Sequence, residues 1–244
     1  MVSTSPPPVV DGPEVHPYPN HQSVTSLTVF SQIRTPISTV TALTSLSAPL
    51  ILASQSPRRR ALLEQVNANF QVQVSPADEE LAASRPPYET ARALADRKAT
   101  PVAEQHPSAL VLAADTIVVH EGDILEKPGS PTEARHMLRR LSNDVHAVYT
   151  GIALHHRASD RTVTTGRETQ VHFARLTDDE IASYVATQSP MDKAGAYGIQ
   201  DHTGPFFVQR LDGDYYTVVG LPLRQLYEAL RTHFSDLLNS STSS

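Results

Sequence analysis

A chain of 244 residues has room for one domain, or for one domain with a tail. Its hydrophobic fraction of 39% and formal net charge of −6 describe an ordinary globule and exclude a general affinity for nucleic acid or for anionic membranes. The lack of cysteine excludes disulfides, thiolate metal sites and thiol nucleophiles, and it fits a reducing compartment. Residues 1–47 are rich in Ser, Thr and Pro and show no apolar periodicity, so a disordered extension is expected there. They contain no basic start followed by an apolar core, and a signal peptide is not expected. Residues 15–47 lack acids, as a transit peptide would, but Arg34 is the only arginine before residue 58. The expectation is a cytoplasmic protein with a domain over 48–238 and a disordered tail over 239–244. No apolar run approaches the ~20 residues that a membrane helix needs, so no membrane partner is expected.

The stretch ILASQSPRRRALLEQV, 51–66, reads as a short buried strand, a polar turn and a helix. Ser56 suits the N-cap and Pro57 the first helical position, with Leu62, Leu63 and Val66 as the packing stripe. Arg58, Arg59 and Arg60 stand at the end of the helix where its dipole disfavours cations. Either they form a solvated basic turn, or an anion such as phosphate sits between them, the free N–H groups and the hydroxyls of Ser54 and Ser56. Phe70, Val72 and Val74 alternate as in a half-buried strand, which runs into an acidic loop at Asp78, Glu79 and Glu80. Those carboxylates are either a solvated turn or ligands for a hard divalent cation such as Mg²⁺. Residues 88–99 form a helix with Ala91, Leu94, Ala95 and Lys98 on one stripe, which Pro101 should end. Lys98 either snorkels to water or points into a cleft.

LVLAADTIVV, from Leu110, is almost continuously apolar, as expected of a strand covered on both faces. Asp115 interrupts it and needs a cation, a metal or strong hydrogen bonds to offset its desolvation. A turn at Glu121-Gly122-Asp123 should return the chain as a hairpin. A three-residue loop would set Lys127 on the face of Asp115, whereas a two-residue loop would turn it to the other face. Residues 130–142 carry a capping box at Ser130 and Glu133 around Pro131. Two paired strands follow, 146–156 and 162–174, then a capped helix from LTDDEIASYVAT. His146 is expected to be structural, and the histidines show no zinc-ligand spacing. In SPMDKAGAYGIQD, 189–201, the glycines permit a tight backbone near a ligand, and the Gln200 amide can match the edge of uracil or thymine. A hairpin about Gly213-Asp214 and a helix from Pro222 with Leu223, Leu226, Tyr227 and Leu230 should close the chain. The expected class is α/β, with a mixed, twisted sheet and flanking helices. P-loop and Rossmann fingerprints are absent.

Together these segments resemble one family. LASQSPRRRALL resembles the LASxSPRRxxLL opening of the Maf (septum-formation inhibitor) family of nucleotide pyrophosphatases, and LADRKA resembles its LAxxKA context. AADTIV and LEKP resemble the GADTxV…LEKP signature, with Ala114 in place of glycine. LSNDVHAVYTG resembles LSGxxHxVxTG, and DKAGAYGIQD resembles the DKAGAYGIQG of the branch active on pyrimidine nucleotides, with Asp201 in place of the last glycine. The resemblance runs to about residue 230. It implies an inosine triphosphatase-like fold with two lobes around a cleft, a homodimer, and cleavage of a nucleoside triphosphate to monophosphate and pyrophosphate. The implied substrates are dTTP and UTP, with modified pyrimidines as further candidates, in a house-cleaning role. Purine or methylated-guanine nucleotides, and a non-catalytic regulator of division, are the alternatives. By the same resemblance Lys98 faces the cleft, and with Arg58, Arg59 and Lys127 it neutralises the triphosphate. Glu79 and Asp115 hold Mg²⁺ or Mn²⁺, Asp115 is also the base for the attacking water, and Arg58, Thr116 and Gln200 select the substrate.

Overall fold

The apolar run from Leu110 forms strand β3, Leu110–His120, with nearly every side chain buried. It belongs to a seven-stranded mixed sheet of order β2-β1-β3-β5-β6-β7, with β4 paired to β3. The other strands are β1, Leu50–Leu52; β2, Phe70–Val72; β4, Asp123–Leu125; β5, Val145–His156; β6, Arg161–Phe173; and β7, Val208–Asp212. β1 runs parallel to both β2 and β3, and the remaining pairs are antiparallel. The expected class is therefore the observed one. This computed structural model describes residue 43 and residues 46–77 and 85–238. They fall within one compact unit, Ser38–Ser244. Most of the expected N-terminal extension, the loop residues Asp78, Glu79 and Glu80, and the tail over 239–244 lie outside the described residues. Packing nevertheless begins before residue 48, because Leu43 is buried in the core and Leu46 bridges to Leu238.

The two sheet faces are covered differently. Leu50, Leu52, Leu110, Leu112 and Ala114 face one cluster. There they meet Leu62 and Leu63 of helix α1, Pro57–Gln65, and the apolar stripes of α3, Pro131–Leu141, α4, Asp178–Ala186, and α7, Leu223–His233. The alternate residues Ile51, Ala53, Val111 and Ala113 meet Ala95, Ala99, Val102 and Ala103 of α2, Pro87–Gln105. Two shorter helices, α5, Gly204–Phe207, and α6, Tyr215–Val219, precede α7. No described helix is long and apolar enough to cross a membrane.

Several local expectations are corrected. Pro101 does not end α2, which continues to Gln105 because Val102 and Ala103 bury completely against the sheet and hold the last turn in place. β2 has only three residues, and Val72 and Val74 are exposed rather than half-buried. The hairpin expected at Gly213-Asp214 is replaced by helix α6, because Asp214 accepts from the Thr217 N–H as an N-cap. At α3 the Ser130 cap forms, but Glu133 reaches past it to accept from the Gly129 N–H, so the reciprocal half of the box is displaced. The complete capping box is at Thr177 and Glu180 of α4.

His146 is structural, as expected. It is buried, its Nε2 lies 2.7 Å from the Tyr197 hydroxyl, and it packs edge-on against Phe173 and Tyr197. Burial pushes its pKa down from 6.5 to about 3. Below pH 6.5 the unfolded chain binds a proton that the folded chain refuses until about pH 3. The contribution is therefore complete above pH 6.5 and is lost as pH falls toward 3. The loss is up to about 1.4 kcal/mol per pH unit. His146→Gln keeps a polar partner for Tyr197 but cannot titrate. Urea midpoints measured from neutral to mildly acidic pH should fall less steeply in this variant. Parallel curves for variant and parent would place the acid sensitivity elsewhere.

Candidate active site

The site arises from a gap in the sheet. One edge of β3 pairs with β1 over Leu110–Leu112 and with β4 over Val118–His120. Between these pairings, at residues 113–117, that edge carries neither strand, and the chain leaves β1 there to enter α1. A cavity of about 510 Å³ opens at this point. Asp115 and Thr116 stand in the gap and line it, together with Ser54, Arg58 and Arg59 from the β1–α1 turn. Lys98 of α2, Lys127 beyond β4, and Gln200 complete the set, so eight of the expected site residues share one cavity. The ninth, Glu79, lies outside the described residues.

Strand parity settles two ambiguities. Asp115 continues the 111, 113 series that faces α2, and Lys98 buries on that helix. The Lys98 ammonium donates to Asp115 Oδ1, so lysine and carboxylate compensate one another. The β3–β4 turn has two residues, Glu121 and Gly122, with φ of 52° and 87°. This is the primed-turn geometry that matches strand twist. The register opposes His120 to Asp123, so the two-residue loop is the one that forms, against the three-residue alternative. β4 ends at Leu125, and Lys127 lines the cavity from beyond the ladder.

The arginines part company. Arg59 is 9% exposed and braces three segments. Its Nε donates to the Gly220 carbonyl at 2.8 Å, and its Nη atoms donate to Ser54 Oγ and Thr116 Oγ1, both at 3.2 Å. Thr150 donates its one hydroxyl hydrogen to the Thr217 carbonyl, at 2.7 Å. In the 2.9 Å contact between Thr116 and Thr150, Thr116 must therefore be the donor. The Thr116 hydroxyl is thus oriented from within the protein and holds Arg59. Arg58 instead meets an anion supplied by the chain, Asp192 Oδ2 at 2.7 Å. Ser56 caps α1 by accepting from the Arg59 N–H at 3.5 Å.

Asp192 and Lys193 line the cavity but carried no expected role. The signal was present as an acid–base pair opening the glycine-bearing segment. Lys193 is buried, and its Nζ donates to Asp192 Oδ1 at 2.7 Å. Among the described residues the lining holds five cations, Arg58, Arg59, Lys98, Lys127 and Lys193, against three carboxylates, Asp115, Glu126 and Asp192. In a chain of net charge −6 this local excess of positive charge suits an anionic ligand.

The family model described as Maf-like protein matches residues 49–233. The chain belongs to the Maf family. It is 61% identical over 200 residues to a dTTP/UTP pyrophosphatase of Salinibacter ruber, covering 82% of this chain and 98% of that one. It is 49% identical over 181 residues to a dTTP/UTP pyrophosphatase of Bacillus cytotoxicus, covering 74% of this chain and 93% of the other. Among solved structures, a HAM1 protein from Coxiella burnetii matches with a TM-score of 0.43 and 17% identity, covering 75% of this chain and 98% of that one.

The Maf motifs coincide with the cavity. The serine–proline–arginine opening, the aspartate strand, the lysine after β4 and the glycine-bearing segment each supply part of its wall. Mg²⁺ is usually held by one or two carboxylates together with substrate phosphates, rather than by a cage of protein ligands. Asp115, the buried carboxylate of a cation-rich cavity, fits such a donor set. Among the described residues no group of three His, Asp or Glu is placed to hold a metal by itself.

Proposed function

We propose that this Maf protein is a nucleoside triphosphate pyrophosphatase that hydrolyses dTTP and UTP to the monophosphate and pyrophosphate. The observation that carries the reading is the convergence of the Lys98–Asp115 pair with Arg58, Lys127 and Lys193 on one cavity. The substrate reading is supported by the similarity to the dTTP/UTP pyrophosphatases of Salinibacter ruber and Bacillus cytotoxicus. A triphosphate brings several negative charges, and the cations neutralise them while leaving the α-phosphorus open to water. A water oxygen bonds to that phosphorus, the bond to the bridging oxygen of the β-phosphate breaks, and pyrophosphate leaves. Asp115 receives the proton of the water, and Lys98 holds its carboxylate in place and balances its charge. Arg59 keeps the β1–α1 turn and the Gly220 turn in register with Thr116. A divalent cation, Mg²⁺ or Mn²⁺, is part of this proposal, with Asp115 and Glu79 as its protein ligands. When bound it supplies charge neutralisation at the phosphates and lowers the pKa of a coordinated water.

Phosphate release coupled to inorganic pyrophosphatase, run over a nucleotide panel, tests the reading. Turnover of dTTP and UTP above all purine triphosphates supports it, and a purine preference overturns it. Gln200 is exposed at the rim and carries both a donor and an acceptor. Gln200→Ala should change the ratio of pyrimidine to purine turnover more than it lowers kcat on the best substrate. A uniform loss over all nucleotides would assign Gln200 to the phosphates or the water instead.

A further inference from the structure

We infer that Asp201, which stands where DKAGAYGIQG has its last glycine, is a positioning residue that fixes which end of the Gln200 amide meets the base. Gln200 Nε2 donates to Asp201 Oδ1 at 3.0 Å. The other carboxylate oxygen is held from behind. Tyr184 and Ser189 each donate a hydroxyl to Asp201 Oδ2 at 2.6 Å, and the Lys193 ammonium lies 3.4 Å from it. Tyr184 is itself anchored, because it accepts from the Gly198 N–H at 3.1 Å. Asp201 does not line the cavity, whereas Gln200 does.

The consequence follows from donor and acceptor identity. An ionised carboxylate only accepts, so the end of the Gln200 amide that faces Asp201 must be the nitrogen. The carbonyl Oε1 then takes the other corner of the amide. Uracil and thymine carry a ring N3–H that a carbonyl accepts, whereas cytosine carries a lone pair at N3 that a carbonyl repels. A locked Oε1 therefore selects the imide bases over cytosine. A glycine at 201 supplies no such lock. This inference rests on the pyrimidine reading above and adds a discrimination within the pyrimidines.

The test uses two variants of the full chain, Asp201→Asn and Asp201→Gly. In Asp201→Asn the Lys193 ammonium is donor-only, so it draws the new carbonyl to its own side and leaves the new NH₂ facing Gln200. Gln200 must then present Oε1 to that NH₂ and turn its own nitrogen to the base. Asp201→Gly removes the lock and lets both amide orientations form. The measured quantity is the ratio of affinities for the α,β-methylene analogues of UTP and CTP, obtained by calorimetry, with kcat/KM on UTP and CTP beside it. The parent should prefer the UTP analogue. The ratio should fall in Asp201→Gly, and it should fall by roughly tenfold or more in Asp201→Asn. Equal losses on both nucleotides would make Asp201 a structural brace and overturn the inference, as would an unchanged ratio in the asparagine variant. A parent that binds with this preference but hydrolyses neither UTP nor dTTP would overturn the pyrophosphatase reading alone. A parent that hydrolyses UTP yet binds both analogues equally would overturn the Asp201 inference alone.

Discussion

Asp115→Asn is expected to slow dTTP and UTP hydrolysis by ~10²–10⁴-fold, the usual cost of removing a general base. Read from the sequence alone, this substitution is close to isosteric and should leave folding intact. The structure changes that expectation. Asp115 is buried and receives the ammonium of Lys98, whose side chain is itself only 10% exposed. Asparagine offers that ammonium a neutral carbonyl, so a nearly buried positive charge loses the negative charge of Asp115. Breaking one half of a buried pair costs about 3–5 kcal/mol, and the remaining carbonyl contact should hold the loss near the lower figure. At about 2–4 °C per kcal/mol for a domain of this size, the melting temperature should fall by roughly 6–12 °C. Folding and chemistry are then separated by a second variant, Lys98→Met with Asp115→Leu. Replacing both partners with apolar side chains is often close to neutral for stability, so the melting temperature should return toward the parent value while hydrolysis stays lost. An Asp115→Asn protein with undiminished turnover would sink the catalytic role. A double variant that regains activity would do so equally.

Gly151→Ala should cost more stability than the same change at Gly166 of β6, where the nearest atom to an added Cβ is 2.7 Å away. Gly151 lies opposite Asp115 in the β3–β5 ladder, where α2 crosses. A Cβ built there would lie 2.4 Å from the backbone C and O of Ala91 and 2.5 Å from the N of Arg92. Those atoms are helix backbone and cannot rotate aside, so α2 must shift as a body. Overpacking of this kind typically costs about 1–3 kcal/mol, and a contact with backbone belongs at or above the top of that range. The site should feel it as well. Lys98 is two turns along α2 from Ala91, and a shift of the helix opens its contact with Asp115. Calorimetric melting should therefore fall by roughly 6 °C or more, with kcat on UTP reduced while secondary structure by circular dichroism is retained. A melting temperature within a degree of the parent would show that α2 has room to yield.

These two residues mark how far the chemistry could be read in advance. Asp115 was conspicuous because a carboxylate in an apolar strand needs compensation, a rule that holds without knowing the partner. Lys98 was conspicuous for the complementary reason, a charge on an apolar stripe. Their union was not legible, since it depends on which face of β3 receives α2. Gly151 carried no comparable signal, because a glycine in a strand does not announce which backbone approaches it. Asp192 went unnoticed because its importance comes from Arg58, which is 134 residues away in sequence.

What the sequence by itself determined is what short-range chemistry decides. The start of α1 at Ser56 and Pro57, the capped helix α4, the doubly covered β3 and the motif segments that form the cavity wall all follow from neighbouring residues, periodicity or family resemblance. The tertiary structure decided the outcomes for which local signals were balanced or misleading. Pro101 stays inside α2 because burial of Val102 and Ala103 against the sheet outweighs the missing hydrogen bond. Glu121 accepts a left-handed φ so that β4 can turn in two residues, which decides between the two loop lengths that the sequence left open. The cavity exists because β1 and β4 share one edge of β3 and leave its middle uncovered. Strand order and register bring distant residues together, and no local pattern encodes which edge, face or gap each segment will meet.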